Sequence, residues 1–160
     1  MWIDEDLPKA VVETIEPLCA DGEELSEQGK PREAIEKFSE AFKLLPKPPH
    51  QWLAATWILT AIGDTAFLAG DMKTAGAAFG EIGLCEGWLD NPFIRLRRGQ
   101  VAFEAGDFKR ASNELASAFI IERYEIFERE DQKYAEFILA QLRPPEPPVN
   151  LPLARFHRNP

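Results

Sequence analysis

The chain has 160 residues, 45% of them apolar and 11% aromatic, enough for one folded domain with a real core. Its 18 basic and 27 acidic residues give a formal charge of −9. That sign argues against nucleic acid, whose phosphates need a basic footprint. It suits a basic protein partner, or an acidity that only maintains solubility.

The opening MWIDEDLPKA is acidic and lacks the basic and apolar regions of a signal peptide. Helix one is predicted from about Pro8 to Gln28, with a bend near 14–17 because Pro17 removes a hydrogen bond. Helix two runs over about 31–45 and stops at Pro46; the loop PKPPHQ follows at 46–51. Helix three spans about 51–69. Its apolar run WLAATWILTAIG is shorter than the roughly 20 residues that span a bilayer, so it reads as a buried helix and no membrane is expected.

Helix four covers about 72–84. Its Gly76, Gly80 and Gly83 fall on one strip, read either as close packing against a neighbouring helix or as a docking strip for a partner backbone. Asn91 and Pro92 form a cap and first position for helix five, about 92–105. Helix six begins near Phe108 and passes Ile121. Helix seven, about 132–142, follows Asp131 as a cap and carries Tyr134, Phe137, Ile138 and Leu142 on one face. The proline-rich tail, 144–160, cannot be helical and reads as extended, with Leu151, Leu153 and Phe156 able to lie against the domain.

One phrase is written three times: GKPREAIEKF at 29–38, GDMKTAGAAF at 70–79 and GDFKRASNEL at 106–115. With Gly29, Gly70 and Gly106 as anchors, Gly22, Gly63 and Gly99 stand seven residues earlier. Ala34, Ala75 and Ala111 stand five later, then Phe38, Phe79 and Leu115 at nine and Ala41, Ile82 and Ala118 at twelve. The physics is that of a helical hairpin. The anchor ends one helix in the left-handed conformation, and Asp71 and Asp107 cap the next, while Pro31 suits a first helical position. The earlier glycine and the later alanine let the helices approach, and the residue at nine fills core between neighbouring hairpins.

This pattern resembles the tetratricopeptide repeat, most clearly at Gly63, Gly70, Ala75 and Phe79, and the resemblance covers about 15–121. The anchors are 41 and 36 residues apart, against a family unit of about 34, and the first excess falls in the 46–51 loop. Arg98 stands where the family usually has leucine, so it must snorkel or find an acid. The fold implied is all-α: a solenoid of three hairpins over 15–48, 56–89 and 92–125, with a capping helix over 132–142 in a domain of 1–143.

No catalytic constellation is present. His50 and His157 have no metal-spaced neighbours, HExxH, CxxC and GxSxG are absent, and the glycines spell no phosphate loop. The carboxylate runs at Glu23-Glu24 and from Glu128 to Asp131 read as solvated faces. Neither enzyme activity nor a cofactor or metal is expected. Cys19 and Cys85 form no disulfide framework, which with the acidic start points to the cytoplasm.

The resemblance implies a concave groove lined by the first helix of each hairpin. Helix one would present Glu16, Cys19, Glu23, Ser26 and Glu27. Helix three would present Trp57, Thr60, Asp64, Phe67 and Leu68. Helix five would present Phe93, Leu96, Gln100, Phe103 and Glu104, with Arg97 at the edge. Phe67 and Phe103 read mainly as core, whereas Trp57 and Phe93 divide between core and contact. Some co-chaperones of this family clamp a peptide carboxylate with Lys, Asn and Arg. The corresponding places here hold Cys19, Glu23, Ala61, Phe93 and Arg97, and only Arg97 suits such a clamp.

A narrower resemblance comes from EIFEREDQKYAEFILAQL at 125–142, AATWILTAIGD at 54–64 and NPFIRLRRGQ at 91–100. These look like small stand-alone bacterial tetratricopeptide proteins encoded beside polymorphic or contact-dependent toxins, a likeness covering nearly all of 7–142. It implies an immunity protein that binds a cognate toxin, a basic domain if the toxin is a nuclease. A secretion or assembly chaperone and a general scaffold are the alternatives, and the oligomeric state is open.

Overall fold

The computed structural model describes residues 4–142 and is all-helical over them, with no strand. The proline-rich tail and His157 lie outside the described residues. The helices are α1 (Lys9–Glu27), α2 (Pro31–Lys43), α3 (Leu53–Leu68), α4 (Met72–Ile82), α5 (Pro92–Glu104), α6 (Phe108–Glu122) and α7 (Gln132–Leu142). Two short 3-10 turns, Pro49–Gln51 and Arg123–Phe127, were not anticipated.

The repeated phrase makes three near-identical turns. Gly29, Gly70 and Gly106 have φ of 71°, 79° and 77°, which a Cβ would strain. The next amide in each case reaches back to a carbonyl of the finished helix: Lys30 to Leu25, Asp71 to Ala66 and Asp107 to Ala102, each at 2.9 Å. This closure satisfies carbonyls that helix ends otherwise leave free. Asp71 then accepts from the Thr74 amide and Asp107 from the Arg110 amide, starting α4 and α6. Asn91 does the same for α5 through Ile94, with Pro92 behind it.

These turns fold α1 onto α2, α3 onto α4 and α5 onto α6, while α2 packs on α3 and α4 on α5. Ala34, Ala75 and Ala111 are fully buried. The residue nine after each anchor has a role different from the one expected. Rather than only filling space between hairpins, Phe38, Phe79 and Leu115 lie directly over Gly22, Gly63 and Gly99 of their own hairpins. The glycine is the floor on which the large side chain rests.

A core cluster runs from Leu7 to Ile94, and a second gathers Leu96, Leu115, Phe127, Tyr134 and Ile138, with Phe67 packed against both. Helix α7 joins the second cluster through Tyr134, Ile138 and the half-buried Phe137, but Leu142 is exposed. Asp131 accepts from the Lys133 amide at the start of α7. Pro17 does not split α1, which remains a single helix. Pro17 and Glu13, whose carbonyl loses its partner, both face solvent, so water can satisfy the free group.

Two features of the fold cross long stretches of sequence. The Asp4 carboxylate accepts from the amides of Leu53 and Ala54, at 2.8 and 2.7 Å, and so caps α3 from the far end of the chain. Arg98 finds an acid, as its position demands: it donates to Glu114, which also holds Arg95, and to the Phe79 carbonyl. The Trp88 ring lies under both guanidinium groups, at 4.3 and 4.5 Å.

The glycine strip of α4 is divided. A Cβ on Gly76 would meet Val101 of α5 at 3.5 Å, an ordinary contact, but one on Gly80 would meet nothing within 4 Å. Gly80 therefore weakens the helix without serving a close approach. Gly80→Ala is expected to stabilise the protein by about 0.5–1 kcal/mol, seen as a higher urea midpoint at unchanged slope.

Candidate functional site

Glu16, Cys19 and Glu23 are three and four residues apart, so α1 presents them along one face. Trp57, Thr60, Ala61 and Asp64 do the same on α3. Between these faces lies an open cavity of about 550 Å³, closed at one side by Phe93 of α5 and floored by Phe38 and Ile58. Seven of the residues expected in a groove therefore share one cavity: Glu16, Cys19, Glu23, Trp57, Thr60, Asp64 and Phe93.

Its chemistry is apolar below and acidic at the rim. Trp57 is 39% exposed, high for an indole, and is free to meet a ligand. Thr60 donates to the Thr56 carbonyl at 2.7 Å, so its hydroxyl is engaged within its own helix. The Cys19 thiol is pushed up to about 11, first by burial and then by the negative charges of Glu23 and Glu16. It stays protonated at neutral pH. Among the described residues, three carboxylates and no basic side chain line the space.

Arg97, expected at the groove edge, is instead 5% exposed and internal. Its Nε donates to Asp64 at 2.7 Å, and one Nη donates to Gln100 and Glu130, both at 2.8 Å. Gln100, fully buried, donates in turn to Glu130 at 2.7 Å. The guanidinium lies 4.6 Å from the Phe67 ring and 5.0 Å from the Phe93 ring. Arg97, Gln100 and Phe67 therefore support the cavity wall through Asp64 and Phe93 rather than lining it. Glu130 belongs to this network although its acidic run read as a solvated face. The available signal was the need of any buried cation for acids.

Phe103 and Glu104 engage α7 rather than the cavity, Phe103 half-buried and Glu104 exposed. Phe103 packs edge-on against Phe108, Tyr134 and Phe137. Glu104 accepts from the Tyr134 hydroxyl at 2.6 Å and pairs with Lys133 at 2.6 Å, clasping α7 to α5. Glu27 is exposed and lies outside the cavity. Among the described residues no group of three or more His, Cys, Asp and Glu is placed to hold a metal ion, and no helix is long and apolar enough to cross a membrane.

The clasp makes stability depend on pH. Hydrogen bonds from Lys133 and Tyr134 hold the Glu104 carboxyl below its usual value of 4.5. A carboxyl depressed in the folded state contributes stability above its unfolded pKa and loses it as pH falls through the folded one. Glu104→Gln is expected to flatten the fall in stability as pH drops below about 5. At pH 7 it costs less than about 1 kcal/mol, because the pair is open to solvent. Urea titrations across that range measure both.

Compared with protein-family models and with curated proteins, the sequence matches none.

Proposed function

We propose that this chain is a tetratricopeptide-type solenoid that binds another protein, and that it serves as an immunity protein neutralising a cognate bacterial toxin in the cytoplasm. The observation that carries the binding reading is the cavity between α1, α3 and Phe93, open to solvent, with an exposed tryptophan and three carboxylates around an apolar floor. Aromatic anchors beside charged groups are what protein-binding surfaces use. The solenoid reading draws support from three hairpins with the same glycine closure and the same glycine beneath a large side chain. The toxin reading draws on the resemblance at 54–64, 91–100 and 125–142, and on the net charge of −9, which favours encounter with a basic surface.

An immunity protein of this kind has no catalysis to perform. It must occupy or distort the toxin's working surface, and affinity then decides protection. The test is co-expression with the product of the neighbouring gene in growing cells. Growth arrest by that product alone, relieved by this chain with which it co-purifies, is the expected result. Relief should fail when Glu16 and Glu23 are both replaced by Lys. Absence of a complex, or a complex with a harmless product, sinks the immunity reading.

A further inference from the structure

The cavity does more than present acids. Its lining combines apolar Ala20, Phe38 and Ile58 with an exposed indole and carboxylates. A leucine or phenylalanine would fill the apolar part but leave Glu16 and Glu23 beside a buried apolar surface with no counter-charge. An isolated acid would be repelled. A side chain with an apolar stem and a cationic end satisfies every wall at once.

The molecule contains its own example of the arrangement. Arg97 approaches the same wall from inside, paired with Asp64 at 2.7 Å and stacked 5.0 Å from Phe93. Both of those residues also line the cavity. What remains unmatched among the described residues on the open side is Trp57, whose face suits a planar cation, and Glu16 and Glu23, spaced seven residues apart on α1 so that both overlook Cys19. Cys19 sits between these two carboxylates on the same face of α1, so the charges of Glu16 and Glu23 flank the apolar part of the lining.

We propose that the cavity receives an arginine side chain of the partner protein, its stem on the Phe38 and Ile58 floor, its guanidinium against Trp57 and between Glu16 and Glu23. Arginine rather than lysine follows from the planar, weakly hydrated guanidinium, which stacks on aromatic rings and pairs with carboxylates side-on. This inference rests on reading the cavity as the binding site, but not on the partner being a toxin.

The test uses the full chain alone, so it does not depend on any cognate product. The isotope-labelled protein is titrated with N-acetyl-arginine amide, N-acetyl-citrulline amide and N-acetyl-lysine amide, following the Trp57 indole and the Cys19 and Ala20 amides by NMR. Citrulline keeps the planar shape of arginine, removes its charge and puts a carbonyl oxygen, an acceptor, where arginine has a donating nitrogen. The expected result is saturable binding of the arginine probe with a Kd on the order of 10 mM, as suits a fragment of this size, and at least about fivefold weaker binding of the other two. Glu16→Gln with Glu23→Gln should erase the preference, while Glu125→Gln with Glu128→Gln, on exposed carboxylates elsewhere, should leave it intact.

Equal binding of citrulline or lysine overturns the proposal, as do shifts spread over the acidic surface without the Trp57 indole. A concentration-dependent dimer that shields Trp57 overturns it in favour of a second copy. A Trp57 resonance that moves when Arg155 and Arg158 are replaced by Gln, with no probe added, overturns it in favour of the chain's own C-terminal residues. Should the arginine probe bind as expected while no toxin is neutralised, only the immunity reading falls.

Discussion

Arg97→Met is expected to destabilise the protein by about 3–5 kcal/mol, the usual consequence of removing one partner from a buried charge network. The side chain is nearly inaccessible, and its two carboxylates are themselves 31% and 14% exposed. Methionine fills similar volume but supplies no donor. Glu130 would then keep only its bond from Gln100, and Asp64 would lose its partner at the cavity wall. The rings of Phe67 and Phe93 would lose the cation they face. Urea unfolding should show the midpoint falling at constant slope. Adding Glu130→Gln and Asp64→Asn should return about half the loss or more, because most of the penalty is the orphaned charge rather than a missing attraction. A cost below about 1 kcal/mol for Arg97→Met would mean that both carboxylates reach water without it, and that the network does not hold the wall.

That network also marks the limit of what the sequence discloses. Turns were legible because their causes are local. A glycine that must take positive φ and an aspartate that caps three residues later leave their mark within five positions, so the starts of α4, α5 and α6 could be placed closely. Arg97 depends on Asp64 and Glu130, each 33 residues away, and charge pairs carry no period to read. The cap that Asp4 supplies to α3 spans 49 and 50 residues and is equally invisible.

The groove was half legible for a related reason. Offsets counted back from the anchor glycine, as the tetratricopeptide resemblance implies, put Glu16, Cys19 and Glu23 of α1 together with Trp57, Thr60 and Asp64 of α3, and these six line the cavity. Hydrophobic pattern alone would not have placed the α3 residues, because that helix is apolar nearly all round, with ten of its residues buried. Trp57 emerged on the open side and Ile58 beneath the cavity, one residue apart. On α5 Gln100, Phe103 and Glu104 fit the same offsets and Arg97 stands beside them, yet the segment 123–142 folds back and engages all four. Repeat arithmetic treats each hairpin as equivalent. The last one is not, because α7 and the turn before it cover the surface that the earlier hairpins leave open.

Gly63→Ala is expected to destabilise the protein by about 1–3 kcal/mol, although the same change at Gly80 should stabilise it. Both glycines sit in helices, where alanine is intrinsically better by about 1 kcal/mol. The difference is the neighbour. A Cβ at position 63 would stand 2.5 Å from the Phe79 ring, closer than any real contact. Phe79 is itself almost wholly buried, with no solvent into which the ring can retreat. Either α3 and α4 separate, opening voids along the hairpin, or the ring leaves its rotamer. A second substitution separates this cause from any other. In a Phe79→Ala background, costly in itself by about 3–5 kcal/mol, the obstacle is gone. Gly63→Ala should there become stabilising by up to about 1 kcal/mol, so the double-mutant cycle reverses the sign of the effect. If Gly63→Ala destabilises equally in both backgrounds, the close approach of α3 and α4 at this crossing is not what the glycine provides. The argument would then fail equally for Gly22 beneath Phe38 and Gly99 beneath Leu115, where the same geometry recurs.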